Sequence, residues 1–331
     1  MLIWIISVII SLMGFLFSKP QPKEELFGLI KLKESSSESF SVVTFNTLAD
    51  AYAKYHRYCS KPYRHFDYRS KLIANILASF DSDFVALQEV DKYHEFYYRT
   101  LQKLGYSSKY QRRTGLSEDG CVLAWKAESW NLVASTHIEF NEMPKCKENP
   151  DYIRNNIALF GVFENLKNGR KLIVGNAHLY WDENFSYVKY AQAMKFLEEA
   201  KFLSETHECE VVLCGDFNSM PNSNVFNLFL GKEPFLTKIS LVDSEIESIY
   251  KGNPTSLKSA YENYTDSGHP QFTNFAEDFS GCLDHIFYSG HLDTVQISSL
   301  PSEEECKSEK ALPNSKYPSD HLPLFAKFVF T

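Results

Sequence analysis

The chain has 331 residues, of which 44% are hydrophobic, 15% aromatic and 23% charged, and its formal net charge is −8. That mixture is ordinary for a globular protein with a thick core. The acidic balance argues against gripping nucleic acid with a broad basic surface, but not against an enzyme that takes a short strand into a local cleft with bound cations.

Residues 2–17 carry no charge. The run is shorter than the ~20 residues of a comfortable membrane span, and Lys19 and Lys23 follow it, which favours a cytosol-facing main domain. Residues 1–18 are therefore read as a signal-anchor or targeting leader that could tether the protein to a membrane, with a cleaved secretory signal as the alternative. Residues 19–39 are polar and Ser-rich and read as a linker. From residue 40 to residue 331 no long linker or repeat intervenes, so this stretch is expected to be one catalytic-size domain. The seven cysteines are odd in number and form no CxxC pair. They read as free thiols of a reducing compartment, cytoplasmic rather than secretory.

FSVVTFN (40–46) predicts a strand. In RSKLIANILASF (69–80), Leu72, Ile73, Ile76, Leu77 and Phe80 share one helical face. DFVALQEV (83–90) predicts a strand, and Phe96, Tyr97, Leu101 and Leu104 a second helix. Four strands follow, at 121–126, 132–140, 156–163 and 171–179. YVKYAQAMKFLEEAKFL (187–203) predicts the longest amphipathic helix. EVVLC (210–214) is a strand and 223–230 a short helix. Residues 282–289 and 322–330 are the last strands, separated by a polar insertion at 299–318. Several strands follow one another directly, which does not suit a doubly wound parallel sheet. Two mixed β-sheets packed face to face, with helices outside, fit better: an α+β fold in a four-layer α/β/β/α sandwich.

Polar residues recur at the strand ends: Asn46, Glu89, His178, Asp216 with Asn218, Asp284, and Asp320 with His321. Each alone has an ordinary explanation as a turn residue, a solvated acid or a cap. Together they would crowd like charges, which a hard cation relieves. Oxygen ligands from Glu, Asp and Asn suit Mg²⁺ (or Mn²⁺ in its place), whereas nothing has zinc spacing. Asp216 and Asn218 are two apart in an extended segment and so look into one space.

FNTLAD, LQEV, NAHLYWD, GDFNSMP, FTNF…DFSGCLDHIFYS and PSDHLPL resemble, in order, the motifs of the endonuclease/exonuclease/phosphatase superfamily with its DNase I-like fold. The resemblance runs from about Phe40 to the end and is strongest to deadenylases of the carbon catabolite repressor 4 type, with Angel, nocturnin and the 2′-phosphodiesterases as neighbours. It implies a Mg²⁺-dependent 3′-exoribonuclease that releases 5′-monophosphates from single-stranded RNA 3′ ends such as poly(A) tails. The alternative is a phosphodiesterase or phosphatase acting on 2′,5′-oligoadenylate, 2′-phosphates or a lipid phosphodiester. A non-enzymatic protein would need a catalytic residue to be missing, and none is. The resemblance further implies that Glu89 is the main metal carboxylate, assisted by Asn46. Asp216 would orient or deprotonate water, and Asn218 would donate to phosphate oxygens. His178 and His321 would bind the scissile phosphate, with Asp284 or Asp320 accepting from His321, and Phe279 would stack on the base. No contact with a leucine-rich-repeat scaffold is expected, and a monomer is expected. Two departures stand out. His285 replaces an aromatic after Asp284 and is expected to point away from the site. Glu183 replaces the proline that flanks the base, which predicts a weakened preference for adenine.

Overall fold

The computed structural model describes residues 26–34, 38–232, 256–266 and 268–331. The leader at 1–18 and residues 19–25 and 35–37 of the linker at 19–39 lie outside them. Among the described residues no helix is long and apolar enough to cross a membrane. The strands are, in chain order, β1 (Leu29–Lys31), β2 (Ser39–Asn46), β3 (Phe84–Gln88), β4 (Tyr106–Arg112), β5 (Gly120–Lys126), β6 (Trp130–Glu139), β7 (Ile157–Asn165), β8 (Lys171–His178), β9 (Glu210–Asp216), β10 (Lys258–Ser259), β11 (Asn274–Phe275), β12 (Ser280–Gly281), β13 (Asp284–Tyr288), β14 (Leu292–Ser298) and β15 (Leu324–Phe330). Two long helices, α1 (Phe66–Phe80) and α2 (Ser186–His207), flank them.

One sheet has the order β1-β14-β15-β2-β3-β5-β4, and the other β10-β13-β9-β8-β7-β6. The parallel pairs are β2 with β3 and β8 with β9. Each pair is a βαβ unit, crossed over by α1 and α2 respectively, and both units end at the same rim of the sandwich. Side-chain alternation then builds the layers. Phe40, Val42, Phe84, Ala86, Leu172, Val174, Val212 and Ile286 fill the space between the sheets. The intervening Val43, Phe45, Val85 and Leu87 pack under Ile73, Ile76 and Leu77 of α1. Phe160, Ile173 and Leu213 pack under Phe196 and Leu197 of α2. This is the expected four-layer sandwich.

Two expectations need correction. Part of the presumed linker is strand β1, which pairs with β14, and Phe27 beside it is buried. The insertion at 299–318 is not merely polar: a short helix at Glu303–Lys307 buries Cys306, and Ala311 and Leu312 join the core under α1. All seven cysteines are free.

Just beneath the rim the inter-sheet layer turns polar. Gln88 Nε2 donates to Thr44 Oγ1 at 3.0 Å and to Asn176 Oδ1 at 2.8 Å. Asn176 Nδ2 donates to Leu87 O at 3.0 Å and Val122 O at 2.8 Å. Asn176 and Gln88 have no solvent exposure, so the bonds between the sheets are made without competition from water. Asn176→Ala would strand these buried groups and is expected to cost about 2–4 kcal/mol. Urea unfolding measures it, and a loss under about 0.5 kcal/mol, the range of a neutral surface change, would mean that the tie does not hold the sheets.

Candidate active site

Asn46 ends β2, Glu89 follows β3, His178 ends β8, Asp216 ends β9 and Asp284 begins β13. The register sets Asn46 beside Gln88, His178 beside Asp216, and Asp216 beside Asp284. Gly215 lets β9 run close beside β8, where it pairs with Ala177: its φ is +144°, and a Cβ there would lie 2.0 Å from Ala177 O. Asn46 Nδ2 donates to Glu89 Oε1 at 3.0 Å and to Asp216 Oδ2 at 2.9 Å, joining a carboxylate from each sheet. Its Oδ1 accepts from Leu48 N–H at 3.1 Å. Asn46 therefore presents donors to the carboxylates, and its oxygen, expected to assist the metal, is used within its own loop. Glu89 Oε2 accepts from Ala49 N–H at 3.0 Å. Burial, then the charges of Asp320 and Asp119, push the Glu89 carboxyl up to about 7 against these hydrogen bonds. Burial likewise raises the Asp216 carboxyl, against the pull of His321.

The two histidines differ. His321 Nδ1 donates to Asp284 Oδ2 at 2.8 Å, and its Nε2 lies 3.6 Å from Asp216 Oδ2. Burial opposes its charge, but Asp284 and Asp216 outweigh that and hold its pKa well above the usual 6.5. His178 Nε2 lies 3.5 Å from Asp216 Oδ2. Burial drives it down to about 4, with Asp216 opposing and the positive Arg113 and His321 adding to the fall. The carboxylates thus favour the charged form of the His321 ring, and burial the neutral form of the His178 ring. Of the two acids considered for His321, Asp284 is the one in contact. Asp320 instead accepts from Asn274 Nδ2 at 3.1 Å and faces His56 Nε2 at 3.7 Å.

Asn218 completes the set. Its N–H donates to Asp216 Oδ1 at 2.9 Å, and its Nδ2 to Leu179 O at 3.0 Å. An amide nitrogen carries two protons, so one is left for a ligand. Phe279 is 47% exposed beside the rim, with Met220 at 40%. A Cβ at Gly281 would come 2.6 Å from Met220 Sδ and 2.8 Å from Phe279 Cζ, so both lean over that glycine. His285 is buried among Phe217, Phe226 and Phe287, and its Nε2 meets Ser219 O at 2.7 Å, away from the carboxylates as expected. Glu183 is not a free carboxylate, since Lys189 Nζ donates to its Oε1 at 2.6 Å.

Several participants were missed in the sequence. Buried Arg69 donates through Nη1 to Thr47 O, Leu48 O and Pro318 O at 3.0, 2.8 and 3.1 Å, tying the FNTLAD and PSDH loops together. Asp119 accepts from Tyr52 at 2.8 Å and lies 3.7 Å from Arg113. It immediately precedes the antiparallel strand β5. Lys189 and Gln192 lie on the stripe of Ala193, Phe196, Ala200 and Leu203, and that helical spacing was their signal.

The residues fit a divalent cation. Oxygens of Asp216 and Asp284 lie within 4.8 Å of each other and of a His321 nitrogen, and buried Asp284 Oδ1 has no hydrogen-bond partner, so in this trio the two carboxylates are the candidate ligands and His321 borders them. Glu89 is not in that trio but is joined to it through Asn46. Two mixed sheets with this rim of buried carboxylates, amides and histidines define a hydrolytic enzyme for phosphate esters. The endonuclease/exonuclease/phosphatase family matches residues 43–321, and the chain belongs to it. It is 30% identical to carbon catabolite repressor protein 4 homolog 3 of Arabidopsis thaliana over 88% of this chain and 75% of that protein. It is 32% identical to a probable CCR4-Not complex 3′-5′-exoribonuclease subunit of Vairimorpha ceranae over 94% of this chain and 68% of that one. The crystal structure of ANGEL2, a 2′,3′-cyclic phosphatase in complex with adenosine-2′,3′-vanadate, is similar with a TM-score of 0.80 and 26% identity, covering 92% of this chain and 99% of the other.

Because the His321 pKa is raised on folding, its contribution to stability is complete below the unfolded value of about 6.5 and is lost as pH rises through the folded value. Asp284→Asn removes the carboxylate in contact. The His321 ring is then expected to titrate at lower pH in metal-free protein, followed by NMR of the imidazole. An unmoved titration would exclude Asp284 as the partner.

Proposed function

We propose that the chain is a Mg²⁺-dependent 3′-exoribonuclease of the deadenylase type, releasing nucleoside 5′-monophosphates from single-stranded RNA ends such as poly(A) tails. What carries this reading is the similarity to proteins named as 3′-5′-exoribonucleases over nearly the whole chain, with every expected polar rim residue present. Glu89 would hold the cation, with Asp216 and Asp284 next to it, and the bound cation would neutralise phosphate charge. Asp216 would accept a proton from the attacking water as the water oxygen bonds to phosphorus; the bond from phosphorus to the 3′ oxygen of the preceding nucleotide breaks, and that oxygen takes a proton from solvent to become a 3′ hydroxyl. Cationic His321, oriented by Asp284, and neutral His178 face the phosphate, and the free Asn218 proton meets a phosphoryl oxygen as charge builds there. Phe279 is one wall for the terminal base. The other wall, a proline in the deadenylases, is here the Glu183 carboxylate on its lysine, so preference for adenine is modest.

A second reading follows from the ANGEL2 likeness: opening of a 2′,3′-cyclic phosphate at an RNA end. One experiment separates the two. A 5′-labelled RNA of mixed sequence ending in poly(A) is compared with the same RNA bearing a terminal cyclic phosphate. The exonuclease gives a shortening ladder from the first, whereas the cyclic phosphatase changes only the end group of the second.

Glu89→Gln keeps the shape and removes the charge. Activity is expected to fall by about 10²-fold or more, with unchanged circular dichroism, and EDTA is expected to abolish wild-type turnover. Activity that persists in EDTA would defeat the metal assignment. Phe279→Ala is expected to weaken binding of poly(A) and poly(U) alike, by about 1–3 kcal/mol, one stacked base. Homopolymer titrations measure this, and a loss confined to poly(A) would show that Phe279 reads the base rather than merely stacking on it.

A further inference from the structure

We infer that Lys189 is a positioning residue for this chemistry: its buried ammonium fixes the main chain of Asn218, with Glu183 as counter-charge, so that the Asn218 amide is aimed at the substrate phosphate. The inference rests on the reading of Asn218 as a donor to phosphate. Lys189 lies in the first turn and a half of α2 and is 2% exposed. Its Nζ donates to Asn218 O at 2.7 Å and to Glu183 Oε1 at 2.6 Å.

An ammonium in such a place is costly to desolvate and is kept only where it is fully engaged. Apart from Gln192, the rest of its stripe, Ala193, Phe196, Leu197 and Ala200, is apolar and buried. A methionine would fill the site more cheaply, so packing alone does not account for the charge. Asn218 needs such a hold. Its φ of 47° is in the left-handed region, which persists only where the surroundings determine it. Its N–H and side chain are tied to Asp216 and Leu179, which border the same cleft. Among the described residues, Lys189 alone grips it from the helix layer, through the carbonyl. Gln192, three residues on, does the same for the neighbouring loop. Its Oε1 accepts from Tyr180 N–H at 2.9 Å, and its Nε2 donates at 3.3 Å to Asn156 Oδ1, while Asn156 Nδ2 donates to His178 O at 3.0 Å. The N-terminal part of α2 thus holds the backbone at both His178 and Asn218. Glu183, 77% exposed, balances the lysine charge at the surface.

The test is a double-mutant cycle in the full chain with Lys189→Met and Asn218→Ala, using oligo(A) RNA and Mg²⁺. Lys189→Met alone is expected to lower kcat about 10- to 100-fold while KM changes less than about threefold, because the amide acts in the transition state. In the Asn218→Ala background the same change is expected to cost less than about threefold, since the group it aims is gone. A general structural role would cost the same factor in both backgrounds. If Asn218→Ala alone keeps wild-type kcat, the catalytic reading of Asn218 falls and the inference with it. If Asn218→Ala is slow and Lys189→Met costs its full factor again, only the inference falls. Should Lys189→Met not fold, Lys189→Arg takes its place in the cycle: the larger cation displaces the carbonyl, and loss of kcat confined to the Asn218 background is expected. Equal loss in both backgrounds, or none in either, overturns the inference.

Discussion

The Asn46 amide, donating at 3.0 and 2.9 Å to Glu89 of one sheet and Asp216 of the other, is the contact on which the site depends. It bridges two carboxylates that would otherwise repel across a poorly solvated gap. Its geometry requires both βαβ units to finish at the same level, which is fixed below it by the Gln88–Asn176 tie. A slip of one residue in either sheet would turn Asn46 or Asp216 away from the gap, because successive side chains face opposite sides.

The rim is costly to build. Leu48, Glu89 and Asn218 all have left-handed backbone, with φ of 56°, 55° and 47°. Such conformations survive where surrounding contacts determine them. Ala49 N–H on Glu89, Arg69 on Leu48 O, and Lys189 on Asn218 O supply those contacts. Charge is arranged with equal economy. Asp284 and Asp216 favour the protonated form of His321, and burial favours the neutral form of His178. Two side chains of one type, both near Asp216, are thereby pushed toward opposite states by their surroundings.

Parity along the strands links the core to the chemistry. Residues 40, 42 and 84, 86 face the inter-sheet layer with apolar side chains. The next inward positions, Thr44, Gln88 and Asn176, are polar and bonded to one another. The last, Asn46, His178, Asp216 and Asp284, form the rim. A single alternation thus carries β2 and β8 from packing to structural hydrogen bonding to the polar rim within a few residues.

Most of this organisation was written in the chain. Strand alternation and helical stripes located the main elements, since burial on one face demands periodicity, and direct succession of strands implied two mixed sheets. The polar strand ends Asn46, Glu89, His178, Asp216, Asn218, Asp284 and His321 were legible because apolar runs stopped at them. Strands β1, β4 and β14 were not, being short or half polar and stabilised by pairing with distant partners rather than by their own pattern. Only the tertiary structure decided that His321 pairs with Asp284 rather than Asp320, that the Asn46 oxygen turns into its own loop, and that Glu183 is engaged by Lys189. Those outcomes depend on side-chain direction and on partners far apart in the chain, brought together by sheet register and helix packing, which no local spacing encodes.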